Sequence, residues 1–276
     1  MKIHDENAVD KELFEELKID CSKCSGLCCT ALYFSKLDGF PEDKEAGKPC
    51  VNLQSDFRCK IHAELPRRKM KGCLGYDCFG AGQKVTQTIY PHTTWSTENN
   101  PQQIFEVFLI VFQLHQILYY LAEAKTILPA RNLWYDIEVL ITENKSICSA
   151  PTKDILTTDI NDYRKRANEC LKKVSNLVKL NYSLDKKEHE KNYMGKAFKG
   201  KNFHGADFTM TLLIAAKFNG CNFNGANFLG ADTRDTDFSD ADLSEAVYLT
   251  QGQVNSARGN SATKLPINLT HPITWC

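Results

Sequence analysis

The sequence predicts an α+β multidomain protein in which a cysteine-rich segment with helices precedes a solenoid of short repeats. Two observations predict this architecture. Eight of the 12 cysteines fall between Cys21 and Cys78, and an apolar residue returns every five positions from Phe198 to Tyr248. A period of five fits neither a helical turn of about 3.6 residues nor the alternation of a strand, so it indicates a repeat architecture.

Composition narrows the class of protein. The 276 residues, 42% hydrophobic and 25% charged, are typical of a globular chain long enough for two domains. Lys plus Arg and Asp plus Glu number 34 each, so no overall field favours nucleic acid or an anionic membrane. The first residues lack the apolar core of a secretory signal, and we therefore expect a cytoplasmic protein. In that reducing compartment, clustered cysteines indicate a metal or redox site rather than disulfides.

Apolar periodicity predicts helices between the cysteine-rich segment and the repeats, and one before them. The predicted helices cover residues 10–18, 104–128, 132–147 and 158–180. The longest lies between Pro101 and Pro129, which suit helix boundaries. Its unbroken apolar run is only Val107–Phe112, so we interpret it as a buried central helix and expect no membrane span.

The five-residue series assigns inward-facing positions to the repeats. The series consists of Phe198, Phe203, Phe208, Leu213, Phe218, Phe223, Phe228, Phe238, Leu243 and Tyr248. Thr233 interrupts it, and a small residue such as Ala206 or Cys221 often stands two positions before the apolar one. Asp or Asn usually follows the small residue.

The stretch GANFLGADTRDTDFSDADLSEAVYL resembles the pentapeptide-repeat family. The resemblance implies a short right-handed quadrilateral β-helix with four repeats in each coil, the large apolar and small residues pointing inward. The segment LTQGQVNSARGNSATKLP is similar to the helical C-terminal cap of such proteins. The resemblance also implies a protein partner docked on the β-helix and a homodimer formed end to end, which a cap would oppose.

The cysteine-rich segment contains three short motifs, CSKCSGLCC, Cys50-Val51-Asn52-Leu53 and Cys59-Lys60-Ile61-His62. They resemble the C-x2-C-x3-CC, C-x2-L and C-x-I-(Y/H) elements of a cysteine-cluster family described as zinc- or iron-chelating. The ligands that the resemblance implies are Cys21, Cys24, Cys28, Cys29, Cys50, Cys59 and Cys73. Cys78, which follows the shared region, is a further candidate. For His62 three roles stay open, those of a ligand, a proton-transfer group and a surface residue.

The identity of the metal stays open, because zinc and an iron-sulfur cluster both accept four thiolates. Adjacent Cys28 and Cys29 diverge, so this pair serves two metals or two edges of one cluster rather than a single tetrahedral site. The remaining thiols suggest packing instead. These are Cys148, Cys170, Cys221 and Cys276, and a packing role is also expected for His115 in its apolar helix.

These patterns divide the chain into four predicted segments. They are a cysteine-rich metal-binding domain at 1–100, a helical segment at 101–192, the pentapeptide β-helix at 193–250 and a helical capping tail at 251–276. Nucleotide-binding loops and the serine-hydrolase elbow are absent from the sequence.

Three functions fit the sequence. The first is a cytoplasmic zinc or iron-sulfur protein whose β-helix is an interaction scaffold for a protein partner. The second is an iron-sulfur or multinuclear-metal enzyme that modifies a protein or metabolite, so whether the chain is an enzyme stays open. The third is a DNA mimic that protects a topoisomerase, but Lys196–Glu245 carries seven acidic and five basic side chains, little excess for such a mimic.

Overall fold

The computed structural model describes residues 2–182 and 192–275, which form two compact units. The cysteine-containing unit comprises Asp10–Ala122 and Glu138–Asn168. The repeat-containing unit comprises Met1–Val9, Glu123–Ile137 and Glu169–Cys276. The segment boundaries at residues 100, 192 and 250 stay predictions. The packing role expected of Cys276 lies outside the described residues.

Helices dominate the chain before the repeats. The α-helices are α1 (Lys11–Glu16), α2 (Leu27–Ala31), α3 (Lys71–Gly75), α4 (Ala81–Lys84), α5 (Pro101–Ala124), α6 (Trp134–Cys148), α7 (Thr152–Leu156), α8 (Ile160–Leu180) and α9 (Gln251–Ser256). Short 3-10 turns occupy Glu6–Ala8, Cys21–Lys23, Lys36–Asp38, His62–Glu64, Leu128–Leu133 and Ile273–Trp275, and a π-turn, Val85–Ile89, follows α4. The four helices predicted from periodicity are confirmed as α1, α5, α6 and α8.

Helix α5 supplies much of the core of the cysteine-containing unit. Its residues Ile104, Val107, Phe108, Val111, Leu114, Leu118 and Leu121 are at most 3% exposed. Their spacing of three and four residues places them on one face of the helix. By length and composition α5 is able to cross a membrane, but 67% of its apolar window is buried within the protein, as in a core helix.

The repeats pair through isolated parallel bridges rather than extended strands in the described residues. Bridges join residues 20 apart, such as Ala197 to Lys217 and Lys217 to Asp237. Phenylalanine rings stack at the same interval, with centroids 5.3 Å apart for Phe198 and Phe218 and for Phe203 and Phe223. One coil therefore contains four five-residue repeats, as the resemblance implies.

The predicted inward positions form the core of the repeats. From Phe208 to Tyr248 every member of the apolar series is at most 1% exposed, while Phe198 and Phe203 are partly buried. The exception in the sequence, Thr233, is also buried, and its hydroxyl donates to the backbone oxygen of Gln253 at 2.8 Å. The hydrogen bond explains how a polar residue occupies an inward position.

The Asn and Asp side chains that follow the small inward residue stabilise the corners. They accept a hydrogen bond from the backbone N–H two residues later, as Asn222 does from Asn224 at 3.0 Å and Asp237 does from Ser239 at 3.0 Å. This is the local bond of an Asx turn, and it accounts for the Asp or Asn that follows the small residue. The corner itself needs a left-handed backbone, which Gly220 and Gly225 adopt with φ of 65° and 73°.

Among the described residues, the C-terminal tail is α-helical only in α9 and ends in the 3-10 turn Ile273–Trp275. The capping box of Thr250 and Gln253 begins this helix, and the Gln253 amide donates to the backbone oxygens of Phe228 and Ala231. After α9 the chain again forms parallel β-bridges, between Arg258 and Asp237 and between Lys264 and Asp242. The predicted helical tail is therefore wrong beyond residue 256, because the tail continues the ladder of the repeats and satisfies its edge groups.

The buried carboxyl of Glu123, near the end of α5, binds the backbone at the end of the repeats. Glu123 is 4% exposed, and its Oε1 accepts from the Tyr248 backbone N–H at 2.6 Å. Within the described residues its Oε2 has no hydrogen-bond partner. Burial raises the pKa of Glu123 to about 8, so the folded protein keeps this carboxyl protonated at neutral pH.

Because of the raised pKa of Glu123, we expect the free energy of unfolding to depend on pH. Between pH 4.5 and 8 the unfolded chain releases the Glu123 proton while the folded protein retains it, so the free energy of unfolding falls as pH rises, by up to ~1.4 kcal/mol per unit. We expect Glu123→Gln, which keeps the acceptor for Tyr248, to remove that slope. Urea denaturation of both proteins at pH 5 and pH 8 measures it. An equal pH dependence in both proteins would contradict the assignment.

Candidate metal centre

The candidate ligands lie in short turns and helices of the cysteine-containing unit. Cys21 begins a 3-10 turn and Cys24 ends it, while Cys28 and Cys29 lie in α2. Cys59 bridges to Leu53 in the tight loop that follows Cys50. Cys73 lies in α3, and Cys78 is buried just before α4.

The described cysteines are all free thiols. The Sγ atoms of Cys28 and Cys29 lie 4.0 Å apart, far beyond the about 2.05 Å of a disulfide. Among residues 2–182 and 192–275, no group of three or more His, Cys, Asp and Glu side chains is arranged to hold a metal ion. The donor set nevertheless has the chemistry of a thiolate site, because soft sulfur ligands select zinc, copper(I) and iron-sulfur clusters.

A backbone N–H group points at the sulfur of Cys50, which accepts from Asn52 at 3.4 Å. Burial raises the pKa of Cys24, Cys59 and Cys78, and nearby backbone N–H groups offset part of that rise. Hydrogen bonds of this kind favour a thiolate over a thiol.

A small cleft brings four candidate ligands together. It is lined by Ile19, Asp20, Cys21, Cys24, Cys28, Cys78, Gly82, Gln83 and Phe108. Gly82 makes room for the sulfurs, because a Cβ at this position would lie 2.7 Å from Cys24 Sγ and 3.9 Å from Cys78 Sγ. Gly82 had not been predicted as part of the site, although its position four residues after Cys78 was the available signal.

The turn that carries Cys24 is fixed by polar contacts. The Ser25 backbone N–H donates to Thr86 Oγ1 at 3.0 Å, and the Trp95 indole donates to the Ser25 oxygen at 2.6 Å. Gly26 takes a left-handed φ of 70° and faces Leu53 so closely that a Cβ would lie 2.8 Å from its side chain. Glycine therefore suits the chain reversal between Cys24 and Cys28, because it adopts this φ without a Cβ.

The other candidates lie around the loop after α2. The Cys50 N–H donates to the Cys29 oxygen at 2.9 Å. Cys59 and Cys73 pack against the same small apolar cluster of Ile61, Leu65 and Met70. This contact brings two cysteines together that are distant in sequence.

The thiols also influence one another electrostatically. Burial and then the nearby Cys29, Cys50, Cys59 and Cys21 thiols raise the pKa of Cys73 to about 12. Burial, with Asp77, Cys24 and Cys21 as smaller causes, raises the pKa of Cys78 to about 12. Without a cation these groups stay protonated, and a bound cation would reverse that preference.

A lysine provides positive charge beside part of the cluster. Lys44 Nζ lies 2.5 to 3.1 Å from four backbone oxygens, those of Thr30, Leu32, Glu45 and Lys48, among which its three N–H groups are shared. The Cys28 hydrogen bond and the Lys44 charge lower the pKa of Cys29. No local sequence pattern had indicated a role for Lys44.

The histidines differ in their surroundings. His62 is exposed at the start of its 3-10 turn, and its role as a ligand stays a prediction. His115 is 5% exposed, and its Nδ1 lies 2.7 Å from the Phe79 oxygen. This satisfied core histidine matches the expectation from the sequence.

Known proteins are similar to both the cysteine-rich region and the repeats of this chain. The family described as pentapeptide repeats matches residues 211–247 in eight copies. An uncharacterized protein of Bacillus subtilis, YybG, is 49% identical over 267 residues, which cover 94% of this chain and 95% of YybG. The UPF0153 protein YeiW of Escherichia coli is 38% identical over 58 residues, 21% of this chain and 67% of YeiW.

Two solved pentapeptide repeat proteins overlap with the chain. One is from the Arabidopsis thaliana thylakoid lumen, with 25% identity, a TM-score of 0.13 and coverage of 30% of this chain and 59% of that one. The other is HetL of Nostoc sp. strain PCC 7120, described as involved in heterocyst differentiation regulation, with 19% identity, a TM-score of 0.10 and coverage of 28% and 35%. The chain thus spans less than two thirds of the first protein and about a third of the second, and such low TM-scores carry no argument about the fold.

The N-terminal cysteine motifs and the five-residue series had predicted a cysteine-cluster region followed by pentapeptide repeats, and the comparisons confirm that prediction. The chain belongs to the family of YybG, with a UPF0153-like cysteine-rich N-terminal region and a pentapeptide-repeat region in its C-terminal part.

Proposed function

We propose that this chain is a cytoplasmic metal-binding protein that holds zinc or an iron-sulfur cluster through its cysteines and docks a protein partner on its repeats. The observation that carries the metal is the cleft that brings Cys21, Cys24, Cys28 and Cys78 together, with Gly82 leaving room for the sulfurs. Clustered thiols favour a metal ion, because its positive charge stabilises thiolates and thiolates are the form that binds metal.

The repeats supply the proposed docking surface. Their apolar side chains face inward, so coils of the predicted right-handed quadrilateral β-helix present mainly polar side chains and backbone corners. The acidic stretch near the end of the repeats is already paired. Asp232 bonds to Arg234 at 2.6 Å, Asp235 to Arg258 at 3.0 Å and Asp242 to Lys264 at 3.4 Å. This pairing favours a protein scaffold over a DNA mimic.

An enzyme is the second candidate, and a groove beside the cysteines favours it. The groove is lined by Glu12, Glu16, Lys23, Lys84 and Lys145 among other residues, and it shares Gln83 with the cysteine cleft. A polar groove beside a metal centre is where a substrate would bind. An iron-sulfur centre there would supply redox or group-transfer chemistry, and the residues of the groove would bind and orient the substrate.

Metal and acid-labile sulfide analysis of protein purified without oxygen, with a visible spectrum, tests this proposal. We expect a metal content near or above one per chain. Zinc in a colourless protein favours the interaction protein, whereas iron with sulfide and charge-transfer absorption favours the enzyme. Protein that is folded, reduced and free of metal after expression in zinc- and iron-supplemented medium would contradict both.

A further inference from the structure

Helix α2 carries two neighbouring thiols that border different groups of cysteines. Successive residues of a helix point about 100° apart, and the Sγ atoms of Cys28 and Cys29 lie 4.0 Å apart. Cys28 lines the cleft with Cys21, Cys24 and Cys78, whereas Cys29 does not line it. Helix α2 therefore lies at the boundary between two adjacent sets of thiols.

The first set, here called the cleft cysteines, is Cys21, Cys24, Cys28 and Cys78. Gly82 lies against two of them, with its missing Cβ leaving space beside Cys24 and Cys78. Phe108 of the core helix α5 closes the apolar side of the cleft. These contacts bring residues from three separate turns to one small space.

The second set, here called the loop cysteines, is Cys29, Cys50, Cys59 and Cys73. The backbone bond from Cys50 to Cys29 holds the loop against α2 at 2.9 Å. Cys59 and Cys73 both pack against the apolar cluster of Ile61, Leu65 and Met70. The Cys50 sulfur also accepts the Asn52 backbone N–H at 3.4 Å.

We propose that the eight cysteines form two adjacent four-thiolate metal sites, one built from the cleft cysteines and one from the loop cysteines. The inference rests on the proposed function, and it adds the number of sites and the ligands of each. Four thiolates complete a tetrahedral zinc site or hold one iron-sulfur cluster, so eight suffice for two. Cys78 then completes the cleft site, and His62 belongs to neither.

Cobalt(II) titration tests this division of the cysteines into two sites. Cobalt(II) binds tetrahedral thiolate sites, and its visible absorption reports how many of them are filled. The full-length protein is stripped of metal under reducing conditions and compared with Cys78→Ser, Cys73→Ser and the double variant. We expect two cobalt equivalents for the wild type and one tight equivalent for each single variant, the other weakened at least tenfold. The double variant should retain no tight site.

Two results would overturn the division. One is a wild type that saturates at a single equivalent. The other is a double variant that binds as much cobalt as either single variant, since both cysteines would then serve one site. A wild type that binds no cobalt would instead refute the proposed metal-binding function itself.

Alkylation of the wild type keeps the test decisive if a variant fails to fold. With one cobalt equivalent bound, iodoacetamide should modify one complete set in each singly loaded molecule and leave the other set protected. Intact-protein fragmentation reads which thiols are modified together. Protection of four thiols drawn from both sets would contradict the division.

Discussion

Phe223→Ala is expected to lower the free energy of unfolding of the repeat-containing unit by about 3–5 kcal/mol, as large aromatic truncations in well-packed cores do. Phe223 is 0% exposed, and its ring lies 5.3 Å from Phe203, 5.2 Å from Phe218 and 5.7 Å from Phe238. The coils above and below repeat the same spacing, so neighbouring rings cannot move in to fill the cavity. Denaturant unfolding followed by circular dichroism measures the loss.

Met210→Ala is the matched control for this substitution. Met210 lies in the same repeats but is 73% exposed, so its truncation should change the free energy of unfolding by less than about 0.5 kcal/mol. Metal content should not change in either variant. An effect of Phe223→Ala as small as that of the control would mean that the inward register is wrong.

The register of the repeats was predictable because it is local. Each large apolar side chain recurs at an interval of five, and the same interval places Asn222 and Asp237 at corners where they accept N–H groups. Thr233 interrupts the apolar pattern but still fits the core, because its hydroxyl donates a hydrogen bond to the Gln253 backbone oxygen in the tail. That partner lies outside the repeat, so the pattern alone could not supply it.

The tail shows why the end of the repeats was harder to predict. Its composition resembled a helical cap, yet in its described part only Gln251–Ser256 is α-helical, with a short 3-10 turn at Ile273–Trp275. Arg258 and Lys264 instead pair with Asp237 and Asp242 of the preceding coil. An open ladder edge attracts any compatible segment, and this tertiary preference overrides the local one.

The candidate site was predictable in its ligand types but not in its geometry. Spacing identified the cysteines, since packing alone does not require so many thiols in one short segment. It did not show that Gly82 clears space for Cys24 and Cys78, or that Lys44 lies beside Cys29. These relations join residues from separate turns, and no local pattern encodes them.

The double variant Cys24→Ser and Cys28→Ser is expected to lose metal and the folded structure of residues 21–78 while the repeats stay folded. Both thiols face the cleft, and Cys29 follows Cys28 in α2, so disorder here reaches the loop cysteines as well. Few large apolar side chains stabilise this segment, which makes metal ligation its main cross-link. Limited proteolysis should cleave within residues 21–78 and spare the repeats.

Cys221→Ala is the matched control for the loss of a thiol. Cys221 is 1% exposed in the core of the repeats, and its Sγ lies 3.6 Å from the Phe198 oxygen, away from the candidate ligands in sequence. Alanine occupies the same inward position in other repeats, so this variant should fold and keep its full metal content.

Metal per chain, measured side by side in the wild type, the double cysteine variant and Cys221→Ala after purification without oxygen, tests the central claim most directly. The claim predicts metal in the wild type and Cys221→Ala, and the loss of at least half of it in the double variant. Equal metal in all three proteins, or a folded double variant and wild type that both lack metal, would contradict the claim that these cysteines hold a metal.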